Sequence, residues 1–186
     1  MSGLTHGRAA LVAAVAAGLV YTGSLRNRWA LDDHPVIEAN PAAHSISAAL
    51  GAAFSPYWPP EGQHSAGLYR PVTVLSYAVD WVVSGGRPWW FHLTNLVLHG
   101  LVTGLSVLVL ARWLTPVGSL VAGLVFAVHP VHVEAVANVV GRAELLAAAG
   151  MLAAVLAARR HRQQAGPGRS RWLVAGATAV LLAQAS

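Results

Sequence analysis

Five apolar runs rich in Leu, Ala and Val divide the chain, and polar segments separate them. Runs of about 20 apolar residues are typical of membrane-spanning helices, whereas runs of roughly 10–14 more often have another role. The pattern predicts helices over about 9–25, 93–111, 114–130, 143–158 and 172–186. The fourth run is short, and it spans a membrane only if Glu144 lies near the headgroups.

The composition supports a membrane protein. The chain is 55% hydrophobic and 10% charged, with a mean hydropathy of +0.54, whereas soluble domains contain about 25% charged residues. The predicted fold class is therefore an all-α integral membrane protein, a polytopic helix bundle. Arg8 and the first apolar run resemble a signal peptide, but no A-x-A-like cleavage site follows, which favours a retained helix. The absence of cysteine excludes disulfides and thiolate metal sites within the sequence.

A long polar loop, 26–91, follows the first run and contains two helix starts. Asn40-Pro41 and Arg70-Pro71 each place proline at a first helical position. In the second helix the polar residues recur every three or four positions, which predicts one polar stripe on an apolar helix lying in the membrane interface. The stripe comprises Thr73, Ser76, Asp80 and Ser84.

The charges predict an orientation. Five arginines fall between 159 and 171, and the positive-inside rule places that loop in the cytoplasm. The N-terminus is then cytoplasmic, while 26–91 and 129–142 lie outside. All acidic residues, Glu61 included, fall on the outer side. Nucleic acid is excluded as a partner because the arginines adjoin apolar spans and form no basic face.

Two sets of residues in the outer loop can support chemistry. Asp32 and Asp33 are adjacent, so they repel, and one can have a raised pKa or they can share a cation. Such carboxylates serve as general base or as metal ligands, although a solvated turn is the simpler alternative. Arg70 at a helix start matches phosphate oxygens, and its alternative role is to extend towards lipid headgroups.

A second group of polar residues flanks the later spans. His92, Asn95 and His99 share one helical face and either line a site or hold helices together. The segment between the third and fourth runs contains His129, His132, Glu134 and Arg142. The two histidines could bind a metal with Glu134 or the aspartates, but His-x-x-His lacks a third ligand at fixed spacing. Arg142 and Glu144 could instead pair with each other or cap the helix.

Four sequence blocks in order resemble the GT-C glycosyltransferases, in particular the protein O-mannosyltransferase-like family with C-terminal tetratricopeptide repeats. The blocks are DDHPVIEAN (32–40), YRPVTVLSYAVDW (69–81), GGRPWWFHLTNLVLHG (85–100) and FAVHPVHVEAVANVVGRAELLA (126–147). Together they cover most of 29–158.

The resemblance implies a membrane transferase that moves a mannose-like sugar from a polyprenyl phosphate to a protein hydroxyl, or a glycan acceptor, on the non-cytoplasmic face. It implies Asp33 as the first choice for the base and Asp32 as the second, with either able to bind a divalent metal, and Arg70 as the contact to the lipid phosphate. His92, His129, His132, Glu134 and Arg142 would be supporting site residues. The sugar, lipid and metal requirement stay open.

The chain departs from this family in length. Relatives would have more membrane helices and a repeat domain, so we expect a fragment that is inactive alone. A transporter of metal ions or protons that uses the His and Asp residues is the alternative function. Arginine in place of every lysine, together with the alanine content, points to a bacterial plasma membrane.

Overall fold

The computed structural model describes residues 4–58, 68–163 and 169–184, and these residues form helices and turns without any strand. The predicted all-α helix bundle is confirmed. The α-helices are α1 (His6–Val20), α2 (Ile46–Gly51), α3 (Pro71–Ser84), α4 (Pro88–Leu110), α5 (Pro116–Val128), α6 (Val133–Ala137), α7 (Arg142–Gln163) and α8 (Arg169–Gln184).

Within the described residues, three helical segments are long and apolar enough to cross a membrane: His6–Arg26, Pro88–Leu110 and Val139–Gln163. The number rises to four if α5 and the segment Pro130–Ala137, which meet at a bend of 50°, count as one span. Helix α4 begins five residues before the predicted position 93 because Pro88 is favourable at a first helical position. The predicted loop 159–171 is partly helical, since α7 continues to Gln163, and residues 164–168 lie outside the described part.

Small residues bring the spanning helices together. Helix α1 packs against α4 and α5, and its inward face consists of alanines such as Ala13, which is fully buried. At Gly123 of α5, an added Cβ would lie 2.4 Å from Val107 Cγ2 and 2.9 Å from Ala13 Cβ. An added Cβ at Gly100 would lie 2.9 Å from the Ala14 carbonyl oxygen. Close approach of backbones through Gly and Ala is the usual way in which membrane helices associate.

The outer loop folds into a compact layer over the beginning of α4. A π-helix (His34–Glu38), a 3₁₀ turn (Pro41–Ala43) and α2 pack with α3 around one apolar cluster. Its fully or nearly fully buried members include Val36, Ile37, Tyr57, Tyr77, Phe91 and Val139. The segment 59–67, which contains Glu61, lies outside the described residues.

The polar stripe of α3 points into the protein. Thr73 and Asp80 are buried, while Val79, Val82 and Val83 on the other side of the helix are exposed. The polar face of α3 is buried, so it requires polar partners inside the protein, because buried polar groups are costly without hydrogen bonds. Those partners come from α4 and α7.

Two short turns and α6 connect α5 to α7. The 3₁₀ turns Pro130–His132 and Val139–Gly141 flank α6. A Cβ at Gly141 would lie 2.6 Å from both Ala135 Cα and the Glu134 carbonyl oxygen, so only glycine fits against α6 here. The second turn, 139–141, is thereby held against α6, while Val139 packs into the apolar cluster of the outer layer.

Candidate functional site

Asp33 connects the outer loop to the turn that precedes α7. Its side chain is 1% exposed, and both carboxylate oxygens accept backbone hydrogen bonds. Oδ2 accepts from Ala30 N at 3.1 Å, and Oδ1 accepts from Val140 N at 3.1 Å. Two segments separated by more than 100 residues therefore meet at this one carboxylate.

Burial raises the pKa of Asp33 above the ordinary aspartate value, because the charged form loses hydration. The N–H groups of Ala30 and Val140, and the neighbouring His34, lower the pKa, while Asp32 adds a smaller increase. The raised pKa was predicted for one member of the pair, but burial contributes more to it than the repulsion proposed from sequence. Asp32 itself is exposed.

The backbone just before the pair is strained. Leu31 has φ of 47°, in the left-handed region, and its side chain is 82% exposed. A bulky residue in this conformation costs about 1–3 kcal/mol and tends to occur where a functional geometry requires it. Here the turn directs the following two carboxylates differently, one inward and one towards solvent.

A cleft of 460 Å³ opens beside Asp33, between residues 27–33 of the outer loop and α6. We call it the Asp33 cleft. It is lined by Asn27, Arg28, Trp29, Ala30, Leu31, Asp33, Val133, Glu134, Ala137 and Asn138. The structure thus brings Glu134, which is exposed, to the same cleft as Asp33.

Arg70 lies in a different cleft of 530 Å³, which we call the Arg70 cleft. Its guanidinium carbon is 5.2 Å from the centre of the Tyr57 ring, and Trp58 and Pro71 complete the apolar wall. Burial raises the pKa of Tyr57, the charge of Arg70 lowers it, and the charge of Asp33 raises it. Tyr57 is therefore within electrostatic reach of both groups, although the clefts have no lining residue in common.

Arg142 is fully buried and pairs with Asp80 of α3, with Nη2 and Oδ2 at 2.5 Å. The alternative pairing with Glu144 is wrong, because Glu144 is exposed while the guanidinium points towards α3 and α4. Thr94 donates a hydrogen bond of 3.0 Å to the second oxygen of Asp80. A buried charge needs such a partner, since an isolated one is strongly destabilising.

The remaining donors of Arg142 bind α3 and α4. Nε donates to Asn95 Oδ1 at 2.9 Å, Nη1 to Ser76 Oγ at 3.2 Å and Nη2 to the Phe91 carbonyl at 3.0 Å. The guanidinium also lies 4.8 Å from the Tyr77 ring centre. Arg142 therefore joins three helices and does not line either cleft.

The predicted histidines are dispersed. His92 is 1% exposed, and its ring lies near the Arg28 backbone without meeting hydrogen-bond geometry. His129 Nδ1 accepts from Val131 N at 3.2 Å and so caps the first 3₁₀ turn. His132 packs on Phe126 at 4.2 Å and lies 5.3 Å from the buried His99. None of these four rings lines the Asp33 cleft.

The described residues do not by themselves build a metal site. They contain no group of three or more His, Asp or Glu side chains placed to share an ion. Both oxygens of Asp33 already accept N–H groups, which leaves Asp32 as the freer of the two carboxylates. We therefore derive no reaction step through a metal.

Sequence reasoning missed two contributors. Arg28 lines the Asp33 cleft, and Asp80 is the partner of Arg142. Arg28 lies on the predicted outer side, where the positive-inside rule does not favour a cation. This exception to the rule was the one signal in the sequence that could have marked Arg28 as a site residue. The position of Asp80 on the polar stripe showed that it needed a partner but not which one.

Comparison with known proteins identifies the relatives of this chain. Protein O-mannosyl-transferase Tmtc2 of Drosophila melanogaster is 38% identical over 170 residues, which cover 89% of this chain and 18% of that protein. TMTC3 of Homo sapiens is 35% identical over 169 residues, and TMTC1 of Mus musculus is 36% identical over 172 residues.

The chain spans 18% of the length of each of these three relatives. No family model and no solved structure matches it. The predicted resemblance to protein O-mannosyltransferases is confirmed, and the chain is a relative of one segment of the protein O-mannosyl-transferases TMTC1, TMTC2 and TMTC3.

Proposed function

We propose that this chain is the part of a membrane glycosyltransferase that provides its general base. The enzyme moves a mannose-like sugar from a polyprenyl phosphate to a protein hydroxyl on the non-cytoplasmic face. The similarity to protein O-mannosyl-transferases over 89% of the chain is the observation that carries this proposal. The buried carboxylate beside an open cleft supports it, because transfer to a hydroxyl needs a base at a concave site.

Asp33 is our candidate for that base. Its two oxygens each accept one N–H and retain a further lone pair, and the residue lines the cleft. A pKa raised above the ordinary value moves a carboxylate towards the working pH, where general bases are most effective. Asp32, exposed next to it, is the second candidate.

The proposed step is a single inverting displacement. The acceptor hydroxyl gives its proton to the carboxylate while its oxygen forms a bond to the anomeric carbon. The bond from that carbon to the phosphate oxygen breaks, and the electron pair leaves with the polyprenyl phosphate. A cation near the phosphate stabilises the charge that develops there.

Arg70 is the proposed phosphate contact. It is half-buried, it directly precedes the 14-residue helix α3, and its cleft has an aromatic and apolar wall. Arginine binds phosphate through paired N–H donors, and a helix N-terminus adds a favourable dipole. An apolar wall next to a cation suits a phosphate attached to an isoprenoid chain.

Glu134 keeps a supporting role at the Asp33 cleft in this proposal, where it faces the acceptor. His129 and His132 precede Glu134 in the segment that connects α5 to α7, and they shape that segment. Arg142 and His92 are buried and contribute to the architecture that holds the site.

A transfer assay tests the proposal. Full-length protein in membranes would receive a polyprenyl-phosphate mannose donor and a Ser/Thr-containing protein acceptor. Wild type is expected to transfer sugar, and Asp33→Asn to lose about 10²–10⁴-fold in rate, as removal of a general base does. Asp32→Asn and Arg70→Ala would be compared in parallel, with the exposed Glu144→Gln as the matched control for loss of a carboxylate.

The outcomes separate the parts of the proposal. Loss in Asp32→Asn but not in Asp33→Asn would transfer the role of base to Asp32. Full activity of both variants would reject the pair altogether. Absence of transfer by wild type would reject the transferase, and an ion-flux assay would then examine the transporter alternative.

A further inference from the structure

A continuous set of hydrogen bonds runs from the buried ion pair to the candidate base. Arg142 pairs with Asp80 and donates through Nε to Asn95 Oδ1. Asn95 Nδ2 then donates to the carbonyls of Asn138 and Val139, at 3.0 and 3.3 Å. The next residue, Val140, donates its N–H to Asp33 Oδ1 at 3.1 Å.

From this arrangement we propose that Asn95, oriented by Arg142, is a positioning residue for the catalytic carboxylate. It fixes the turn 138–140 so that the Val140 N–H points at Asp33. The inference rests on the proposed function, because it assumes that Asp33 is the base.

The geometry of Asn95 fits this role. The side chain is fully buried, and its amide uses both ends at once, the oxygen for Arg142 and the nitrogen for the turn. Its orientation is therefore determined, because a flipped amide would face a guanidinium with N–H₂ and two carbonyls with oxygen. A fully satisfied buried polar network of this type is rigid and specifies one arrangement.

Val139 packs in the apolar cluster of the outer layer, but few other side chains donate hydrogen bonds to the carbonyls of the turn among the described residues. The Tyr77 hydroxyl reaches the Val139 carbonyl at only 3.5 Å, a weak hydrogen bond, and Gly141 allows close approach to α6. Without the Asn95 amide, the carbonyls of Asn138 and Val139 would lose their main side-chain donor. We infer that the Val140 N–H would then move away from Asp33.

The consequence for Asp33 has a definite sign. The Val140 N–H lowers its pKa, so loss of that bond raises the pKa further. Other charged or titratable groups around Asp33 are Arg28, Asp32 and His34 on its own segment, Glu134 across the cleft, and the hydroxyls of Tyr57 and Tyr77. A test variant should leave all six unchanged.

Asn95→Leu meets that requirement, since it removes both hydrogen-bonding ends, keeps the branched shape of the side chain and adds no charge. We expect kcat for sugar transfer to fall by about 100-fold, the cost of misplacing a catalytic group by about 1 Å, with KM changing by less than about threefold. The acidic limb of the pH–rate profile should move to higher pH. Hydrogen–deuterium exchange at the Val140 amide should become faster.

Two further variants provide an alternative test of the network and a control. Arg142→Lys keeps the charge beside Asp80 but loses the Nε donor to Asn95, so it should show the same changes to a smaller extent. It serves as the test variant if Asn95→Leu does not fold. Thr103→Val is the control, because Thr103 is fully buried on the same helix and its hydroxyl has no partner among the described residues. It should match wild type in exchange and in pH profile.

The outcomes distinguish this inference from the proposed function. If wild type transfers sugar and Asn95→Leu accelerates Val140 exchange while kcat and the acidic limb stay unchanged, the positioning role is refuted. Unchanged exchange in Asn95→Leu refutes the network itself. No transfer by wild type refutes the proposed function, and the inference with it.

Discussion

Two junctions between the described helices differ in the kind of contact that predominates. The junction of α1, α4 and α5 contains alanines and glycines at close approach, whereas the junction of α3, α4 and α7 contains a buried Arg–Asp pair with five further polar contacts. The first depends mainly on shape, so it is sensitive to added volume at Gly100 and Gly123. The second is specified by charge and hydrogen bonding, so it tolerates no missing partner.

The difference also separates structure from chemistry. The glycines and alanines of the first junction line neither cleft, and its polar contacts join one helix to another: His6 Nδ1 with Ser119 Oγ at 3.0 Å, and His99 Nε2 with the Ala127 carbonyl at 3.2 Å. The polar junction of α3, α4 and α7 reaches the Asp33 cleft through the turn 138–140. Its directional bonds can orient a reactive group, which contacts between alanine and glycine cannot do.

The largest effect should come from removing one half of the buried ion pair. Arg142→Leu leaves Asp80 charged and unpaired, and loss of one partner of such a pair costs about 3–5 kcal/mol of unfolding free energy. The double variant Arg142→Leu with Asp80→Leu should recover much of this loss, because no isolated charge remains. Denaturant unfolding in detergent measures both, and equal stability of the single and double variants would contradict the pairing.

Added volume at the small-residue junction should have the next largest effect. In Gly123→Ala the new methyl would overlap Val107 Cγ2, and overpacking of this kind costs about 1–3 kcal/mol. Adding Val107→Ala should restore part of the stability. Gly18→Ala is the matched control, because nothing lies within 4 Å of that position and alanine favours the helix.

The pH dependence of stability should reveal the burial of Asp33. Since its pKa is raised in the folded protein, the folded state binds more protons, and unfolding free energy falls as pH rises through the folded pKa. The contribution is fully present below the ordinary aspartate pKa. We expect the unfolding free energy of wild type, relative to that of Asp33→Asn, to fall as the pH rises from 4 to 8, a range of about four units above the ordinary aspartate pKa. A flat or rising difference would contradict a raised pKa.

The smallest effect should come from Glu144→Gln. Because Arg142 pairs with Asp80 and Glu144 is exposed, unfolding stability should not change measurably. A loss close to that of Arg142→Leu would show that the pairing proposed from sequence is the true one.

Several features followed from the sequence alone because they depend on local patterns. The longer apolar runs predicted α1 and α4, the short fourth run predicted α7, and the proline at Pro71 predicted the start of α3. The shared face of His92, Asn95 and His99 was also correct, since helical spacing places all three inside the protein. The four blocks were sufficient to identify the related transferases.

Long-range pairings did not follow, because nothing in the spacing of residues states which buried groups meet. Arg142 is two residues from Glu144 in sequence and 62 from Asp80, yet it pairs with the distant carboxylate. Positions i and i+2 on a helix do not face each other, which disfavours the local pair. The separation of Arg70 from the Asp33 cleft likewise depends on how the outer layer folds.

The sequence by itself determined the class of the protein, its spanning helices and its relatives, because hydrophobic period, composition and similarity are read along the chain. The tertiary structure decided that Asp33 is buried and Asp32 exposed, and that an N–H from position 140 reaches Asp33. Burial and hydrogen-bond partners are properties of three-dimensional neighbours. They distinguish two adjacent, chemically identical side chains that sequence alone leaves equivalent.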